Sequence, residues 1–178
     1  MEGSSGTISR LDRDLYNAPV LLEEAMGSQD DKLSIVVPDS TDAAHMSALI
    51  SDAVPDCVPQ TEDEIRSRLH EYEVARYPWQ GVVGTAAVRP IDGERAELRG
   101  LAIKPTCRGR GLGKVLVGRA VLRALGAGKR LVCVTRRPDF FRELGFSEIP
   151  LDTIPSKKNC CVAADCGRPR VAMAWGGA

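Results

Sequence analysis

Between residues 108 and 114 the chain reads Arg108-Gly109-Arg110-Gly111-Leu112-Gly113-Lys114. Three glycines let the backbone turn tightly and bring N–H groups close to a ligand, and three cations suit a polyphosphate. The run joins an apolar stretch, Leu98 to Ile103, to a helix-patterned one, Val115 to Leu125. At such a strand-to-helix junction the unpaired helix amides and the positive end of the dipole also favour an anion. Single residues exclude two nucleotide motifs. A triphosphate loop needs glycine where Arg108 stands and serine or threonine where Val115 stands; a dinucleotide fingerprint needs glycine where Lys114 stands. What remains is Arg-x-x-Gly-x-Gly after a strand, for which a plain glycine-rich turn with solvated arginines is the other reading.

The elements that must hold this loop alternate along the chain. Residues 1–31 begin with Gly and Ser and show no sustained period, so they read as a flexible arm preceding a single domain over 32–178. Leu33 to Val37 is an apolar strand, and Ser40 or Thr41 can cap a helix through Met46, Leu49 and Ile50. Thr61-Glu62-Asp63-Glu64 forms a capping box for a second helix through Leu69. Three antiparallel strands follow at Tyr72–Tyr77, Gly81–Arg89 and, past the Asp92-Gly93 turn, Ala96–Ile103. After the loop and its helix come a β-branched strand, Leu131–Thr135, and a short helix, Pro138–Leu144, that ends at Gly145. A strand from Gly145-Phe146, an irregular segment at 150–167 and a strand at Val171–Trp175 complete the order.

Composition narrows the function. Of 178 residues, 24 are basic and 24 acidic, so no duplex nucleic acid or anionic membrane surface is implied, and any anion site is local. No apolar stretch suits a membrane span or a secretion signal, so a soluble, cytoplasmic protein is expected. The six cysteines, Cys57, Cys107, Cys133, Cys160, Cys161 and Cys166, lack paired C-x-x-C spacing, so reduced thiols and no metal are expected.

Element order and motifs together resemble the GNAT superfamily of N-acetyltransferases over Leu33 to Trp175. The loop is similar to that family's acyl-CoA pyrophosphate loop, and Phe140-Phe141-Arg142-Glu143-Leu144-Gly145-Phe146 to its second motif. The resemblance implies an α/β (α+β) fold: a mixed, mostly antiparallel twisted sheet of six to seven strands with helices on both faces. The subgroup it most resembles is the N-acetylglutamate synthase-like acetyltransferases, on Ala96 to Ile103, Val134-Thr135 with Pro138 to Phe141, and Pro155 to Cys166 running into Val171-Ala172-Met173. Small acetyltransferases associated with arsenic resistance share much of this pattern. The adjacent Cys160-Cys161 and Gly167-Arg168-Pro169-Arg170 depart from both.

The resemblance implies acetyl-CoA as co-substrate. Its pyrophosphate would meet the amides of Arg108, Gly109, Arg110, Gly111, Leu112, Gly113 and Lys114, its pantetheine arm the backbone of Leu101, Ala102 and Ile103, with Phe141 nearby. An ammonium cannot attack a thioester until it loses a proton, so a base is needed. Glu97 is the candidate, on one face of an extended strand with Arg99 and Leu101; Glu97 and Arg99 also read as a structural ion pair. Phe141 stands where many family members have a proton-donating tyrosine. Thr135 matches a hydroxyl position proposed for that task in the synthase-like group, though its other role is a strand end. Arg99, Arg136 and Arg137, and further off Arg89, are cations for an acceptor carboxylate. The leading expectation is direct acetyl transfer to the amine of a small molecule, an amino acid such as glutamate. The alternatives are a resistance-type acetyltransferase acting on another small amine and an inactive acyl-CoA-binding regulator. A homodimer through the C-terminal strands is compatible with the family.

Overall fold

The computed structural model describes residues 32–54, 56–154 and 170–176. The expected arm at 1–31, the stretch from Pro155 to Cys166 and the cysteines Cys160, Cys161 and Cys166 lie outside them. Among the described residues one sheet holds seven strands: β1 (Ser34–Val36), β2 (Tyr72–Tyr77), β3 (Gly81–Pro90), β4 (Arg95–Ile103), β5 (Arg130–Thr135), β6 (Phe146–Ile149) and β7 (Val171–Trp175). Their spatial order is β1-β2-β3-β4-β5-β7-β6. All neighbours are antiparallel except β4 and β5. The helices are α1 (Ala43–Ser51), α2 (Glu62–Arg66), α3 (Leu112–Gly126) and α4 (Pro138–Arg142), and α3 supplies the long crossover that the parallel pair needs.

Strand alternation sends successive side chains into two cores. On β2, Ala75 joins the core beneath α3 and α4, whereas Tyr72 and Val74 join the core beneath α1 and α2. Helix α3 buries Leu112, Leu116, Val117, Ala120, Val121 and Ala124, a single stripe at helical spacing that fixes its N-terminus beside the end of β4.

Several boundaries differ from the sequence expectation for local reasons. Asp39, rather than Ser40 or Thr41, caps the first helical segment: its carboxylate accepts from the Thr41 amide at 2.8 Å. A 3-10 turn at Ser40–Asp42 then leads into α1. The Thr61–Glu64 capping box forms, but α2 stops at Arg66, where the Ser67 hydroxyl donates to the Glu64 carbonyl at 2.9 Å, a back-bond that competes with helix continuation. Helix α4 ends at Arg142 rather than Leu144. Its last turn tightens through the Leu144 and Gly145 amides onto the Phe141 and Arg142 carbonyls, and Gly145 reverses the chain at φ +83°.

Two irregularities in β4 make room for a site. Pairing with β5 is limited to Arg95–Glu97 against Arg130–Val132, so beyond Glu97 the edge of β4 on that side diverges from β5. The register with β3 also slips by one residue between Arg99 and Ala102, where Gly100 takes φ +55°, a glycine-dependent bulge. This overturns one expectation. Ahead of the bulge Ala96 and Leu98 face α3; past it Leu101 and Ile103 do, so Leu101 lies on the face opposite Glu97 and Arg99.

Candidate active site

A cleft of about 580 Å³ opens where β4 leaves β5. The loop Arg108–Lys114 borders it beyond Ile103, and Glu97 borders it six residues earlier on β4, roughly 20 Å away along an extended strand. Gly109 and Gly111 adopt φ +76° and +80°. A Cβ at either would meet nothing within 4 Å, so these glycines serve backbone conformation, not tight packing. Gly111 is the N-cap residue of α3 and has no side-chain cap. The first main-chain bond of the helix is from Val115 N–H to the Gly111 carbonyl at 3.1 Å, which leaves the amides of Leu112, Gly113 and Lys114 directed past the helix start. Such a start binds an anion through backbone donors and dipole.

Next to the loop, the edge of β4 supplies further polar backbone. The Lys104 amide bonds to Val83 on β3 at 2.8 Å, so by alternation Leu101 and Ile103 direct their amides and carbonyls to the opposite, cleft edge. There the Cys57 thiol donates to the Leu101 carbonyl at 3.2 Å and Arg108 Nε to the Ile103 carbonyl at 3.1 Å. The N–H groups of the same two residues share that edge.

Side chains make the far end. Glu97 is only 3% exposed and lines the cleft together with Arg99, Thr135, Arg137 and Arg170. Thr135 Oγ1 accepts the Arg137 amide at 3.0 Å; that engages a lone pair and leaves the hydroxyl proton for donation. Arg137 Nε bonds Asp56 at 2.6 Å, drawing the α1–α2 connection across to the end of β5.

Most of the expected residues converge here: Glu97, Arg99, Leu101, Ala102, Ile103, Arg108, Gly109, Gly111, Leu112, Gly113, Lys114, Thr135, Arg137 and Phe141 all line the cleft. Three do not. Arg110 is exposed on the outside of the loop. Arg136 is buried away from the cleft, because consecutive residues leaving a strand point to opposite sides and Thr135 takes the cleft side. Arg89 donates to Glu71 at 2.9 Å. Lys114 lines the cleft but pairs with Glu143 at 3.1 Å. Asp56, Cys57, Gln60 and Arg170 also line the cleft, and no motif in the sequence pointed to them.

Among the described residues, Cys57, Cys133, Tyr72 and Tyr77 are held in structural contacts or kept protonated by burial. Burial, reinforced by Asp56, pushes the Cys57 thiol up to about 11. Burial and the neighbouring Glu97 carboxylate hold the Cys133 thiol far above its usual range. Both stay protonated at neutral pH and are poor nucleophiles, and neither His45 nor His70 lines the cleft. Phe141 packs edge-on to Phe140 and Phe146 and cannot donate a proton. Tyr72 is buried with its hydroxyl donating to Gln60, and Tyr77 stacks on exposed Trp79. Among the described residues no cluster of three or more His, Cys, Asp or Glu could hold a metal, and no helix is long and apolar enough to cross a membrane.

The family model described as an acetyltransferase (GNAT) domain matches residues 69–148, the segment from the approach to β2 through the cleft to β6. Over that segment the chain is similar to a GNAT acetyltransferase domain. An uncharacterised N-acetyltransferase of Chlorobaculum tepidum is 32% identical over 97 residues, 53% of this chain and 61% of that protein. The amino-acid acetyltransferase of Pseudomonas syringae is 39% identical over 80 residues, 43% of this chain but 18% of that protein. This chain therefore matches only part of the length of these relatives. Among solved structures, Rv2747 of Mycobacterium tuberculosis in complex with CoA and NLQ superposes with a TM-score of 0.68 at 21% identity, covering 80% of this chain and 98% of that one. N-acetylglutamate synthase of Neisseria gonorrhoeae with coenzyme A and N-acetyl-glutamate superposes with a TM-score of 0.70 at 22% identity, covering 80% of this chain and 34% of that one. At these identities the superpositions show the GNAT fold. The splayed β4–β5 junction is the part of the domain that the motif residues border.

Proposed function

We propose that this GNAT domain is an acetyl-CoA-dependent N-acetyltransferase that passes an acetyl group directly to the amine of a small carboxylate-bearing molecule, an amino acid such as glutamate. The observation that carries this reading is the convergence, in one cleft, of a helix start suited to an anion, just past β4, and a buried carboxylate on β4 itself. The relatives named for amino-acid acetylation support the acceptor class.

In this account the amides of residues 108–114 hold the pyrophosphate. The N–H groups of Leu101 and Ile103 fix the pantetheine arm along the open edge of β4 and aim the thioester toward Glu97. Glu97 takes a proton from the acceptor ammonium, directly or through a water. The freed amine attacks the thioester carbonyl, the C–N bond forms and the C–S bond breaks. The Thr135 hydroxyl hydrogen-bonds the departing sulfur, which leaves as the thiolate and takes up the proton that the newly acylated nitrogen loses. Arg99 and Arg137 bind acceptor carboxylate, Arg137 exchanging Asp56 for it. The high thiol pKa at Cys57 and Cys133 favours transfer without an acyl-cysteine.

The test is thiol release from acetyl-CoA with a panel of L-amino acids and with amines that lack a carboxylate, alongside calorimetry with acetyl-CoA. Turnover confined to carboxylate-bearing amines is expected. Turnover confined to amines without a carboxylate would replace the acceptor assignment with a resistance-type activity. Binding of acetyl-CoA with no thiol release for any amine would leave a regulatory domain.

A further inference from the structure

Gln60, in the connection between α1 and α2, has no place in the account above, yet it is fastened at both ends. Its main-chain carbonyl accepts the Ser47 hydroxyl of α1 at 2.7 Å. Its side-chain oxygen accepts the hydroxyl of Tyr72, a residue only 1% exposed. Desolvation raises the Tyr72 pKa, so the phenol keeps the proton it donates. A carboxamide whose oxygen is held in this way has a defined orientation, and its nitrogen must face the other way.

That nitrogen lies over the bulge of β4. A Cβ at Gly100 would sit 3.2 Å from Gln60 Nε2, and both residues line the cleft. Gly100 is the residue after Arg99, itself on the cleft and on the strand face turned toward Tyr72 and α2. The bulge glycine thus serves two purposes: it flips the strand and it admits the carboxamide against the backbone.

We propose that Gln60 is a specificity-determining residue of the acceptor site, its oriented N–H donors binding a carboxylate oxygen of the acceptor beside Arg99, with Tyr72 as the positioning residue that sets their direction. This rests on the amino-acid reading of the previous section. A donor-only group beside a guanidinium suits a carboxylate, which accepts at both oxygens. It suits a carboxamide less well, since the amide nitrogen there would confront another donor.

The experiment compares free L-amino acids with their α-carboxamides as acceptors, reading KM and kcat separately at saturating acetyl-CoA, with acetyl-CoA affinity by calorimetry as the control for an intact fold. Gln60→Glu replaces a donor with a repelling carboxylate. It is expected to raise KM for the free acid about tenfold or more while the carboxamide changes little, collapsing the acid-to-amide preference. Gln60→Leu keeps the side-chain bulk and is expected to lose a similar part of the preference without repulsion. Tyr72→Phe should lower the preference about threefold in the wild-type background and not at all in Gln60→Leu, because it acts only through the carboxamide. A purely structural Gln60 would move stability and kcat for both acceptors alike. Free-acid turnover with an acid-to-amide ratio unchanged by Gln60→Glu would overturn the Gln60 assignment alone. No turnover of any free amino acid would overturn the amino-acid reading and this assignment with it.

Discussion

The two ends of the cleft are built from different material. At the loop end the groups offered to the cleft are backbone amides, presented by glycines at positive φ and by the start of α3. At the Glu97 end they are side chains gathered from β4, the end of β5 and the α1–α2 connection. A backbone site depends on local conformation and tolerates many neighbouring side chains, so it can hold one common co-substrate across a family. A side-chain site can change its acceptor through single residues. The contrast predicts that damage at the loop abolishes co-substrate binding, whereas damage at the far end shifts acceptor parameters and spares it.

The largest effect is expected from Gly111→Glu. The new side chain meets open space, so the fold survives a strain of about 1–2 kcal/mol at φ +80°. Its carboxylate repels the pyrophosphate, and calorimetry should find acetyl-CoA affinity down by ~100-fold or more. Unchanged affinity would break the contrast from the loop side.

Gly100→Ala comes next. A methyl group there meets Gln60 Nε2 at 3.2 Å and Ile50 Cδ1 at 3.3 Å, in a residue at φ +55°. Urea unfolding should show a loss of about 1–3 kcal/mol. Acceptor KM should rise while acetyl-CoA affinity holds.

Arg137→Ala should raise acceptor KM by roughly three- to tenfold with kcat nearly intact. The size is limited because the guanidinium is well exposed, its side chain 64% accessible, and already shares a partner in Asp56.

The smallest change belongs to Cys57. With its thiol pushed up to about 11, alkylation by iodoacetamide should be slow at pH 7.5 and accelerate as pH climbs toward 11. The folded pKa lies above the ordinary thiol value of 9.0. The thiol therefore favours the fold below pH 9, and that contribution disappears as pH rises from 9 toward 11. Melting temperatures across that window should fall less steeply in Cys57→Ser. Turnover in Cys57→Ser should stay within about threefold of wild type, as direct transfer requires.

The same contrast explains what the sequence made legible. The loop end could be read because contiguous residues make it: Arg108 to Lys114, the strand before them and the helix stripe after them. The fold could be read for a similar reason, since β2, β3 and β7 are contiguous strand-forming runs and the breaks at Pro78 and Asp92-Gly93 separate β2, β3 and β4. The far end depends on tertiary approach. Asp56 and Arg137 are 81 positions apart and bond directly, and nothing local to either marks the other. Gln60 is visible only once Tyr72 is placed behind it. The bulge at Gly100 was the subtler omission: simple alternation put Leu101 beside Glu97, and one left-handed glycine reversed it. Arg136 and Arg137 were indistinguishable until the end of β5 sent one into the protein and the other to the cleft.

In the function proposed, Glu97 is where the two ends cooperate, since it lies on β4, which also borders the loop end, and lines the cleft among the side chains of the far end. The most direct measurement is thiol release from saturating acetyl-CoA across the amino-acid panel for the wild type and Glu97→Gln, with acetyl-CoA affinity measured on both. The account predicts equal affinity within about twofold and turnover lower by roughly 100-fold or more in the variant, as removal of a general base requires. Wild-type turnover in Glu97→Gln across the pH range would contradict it.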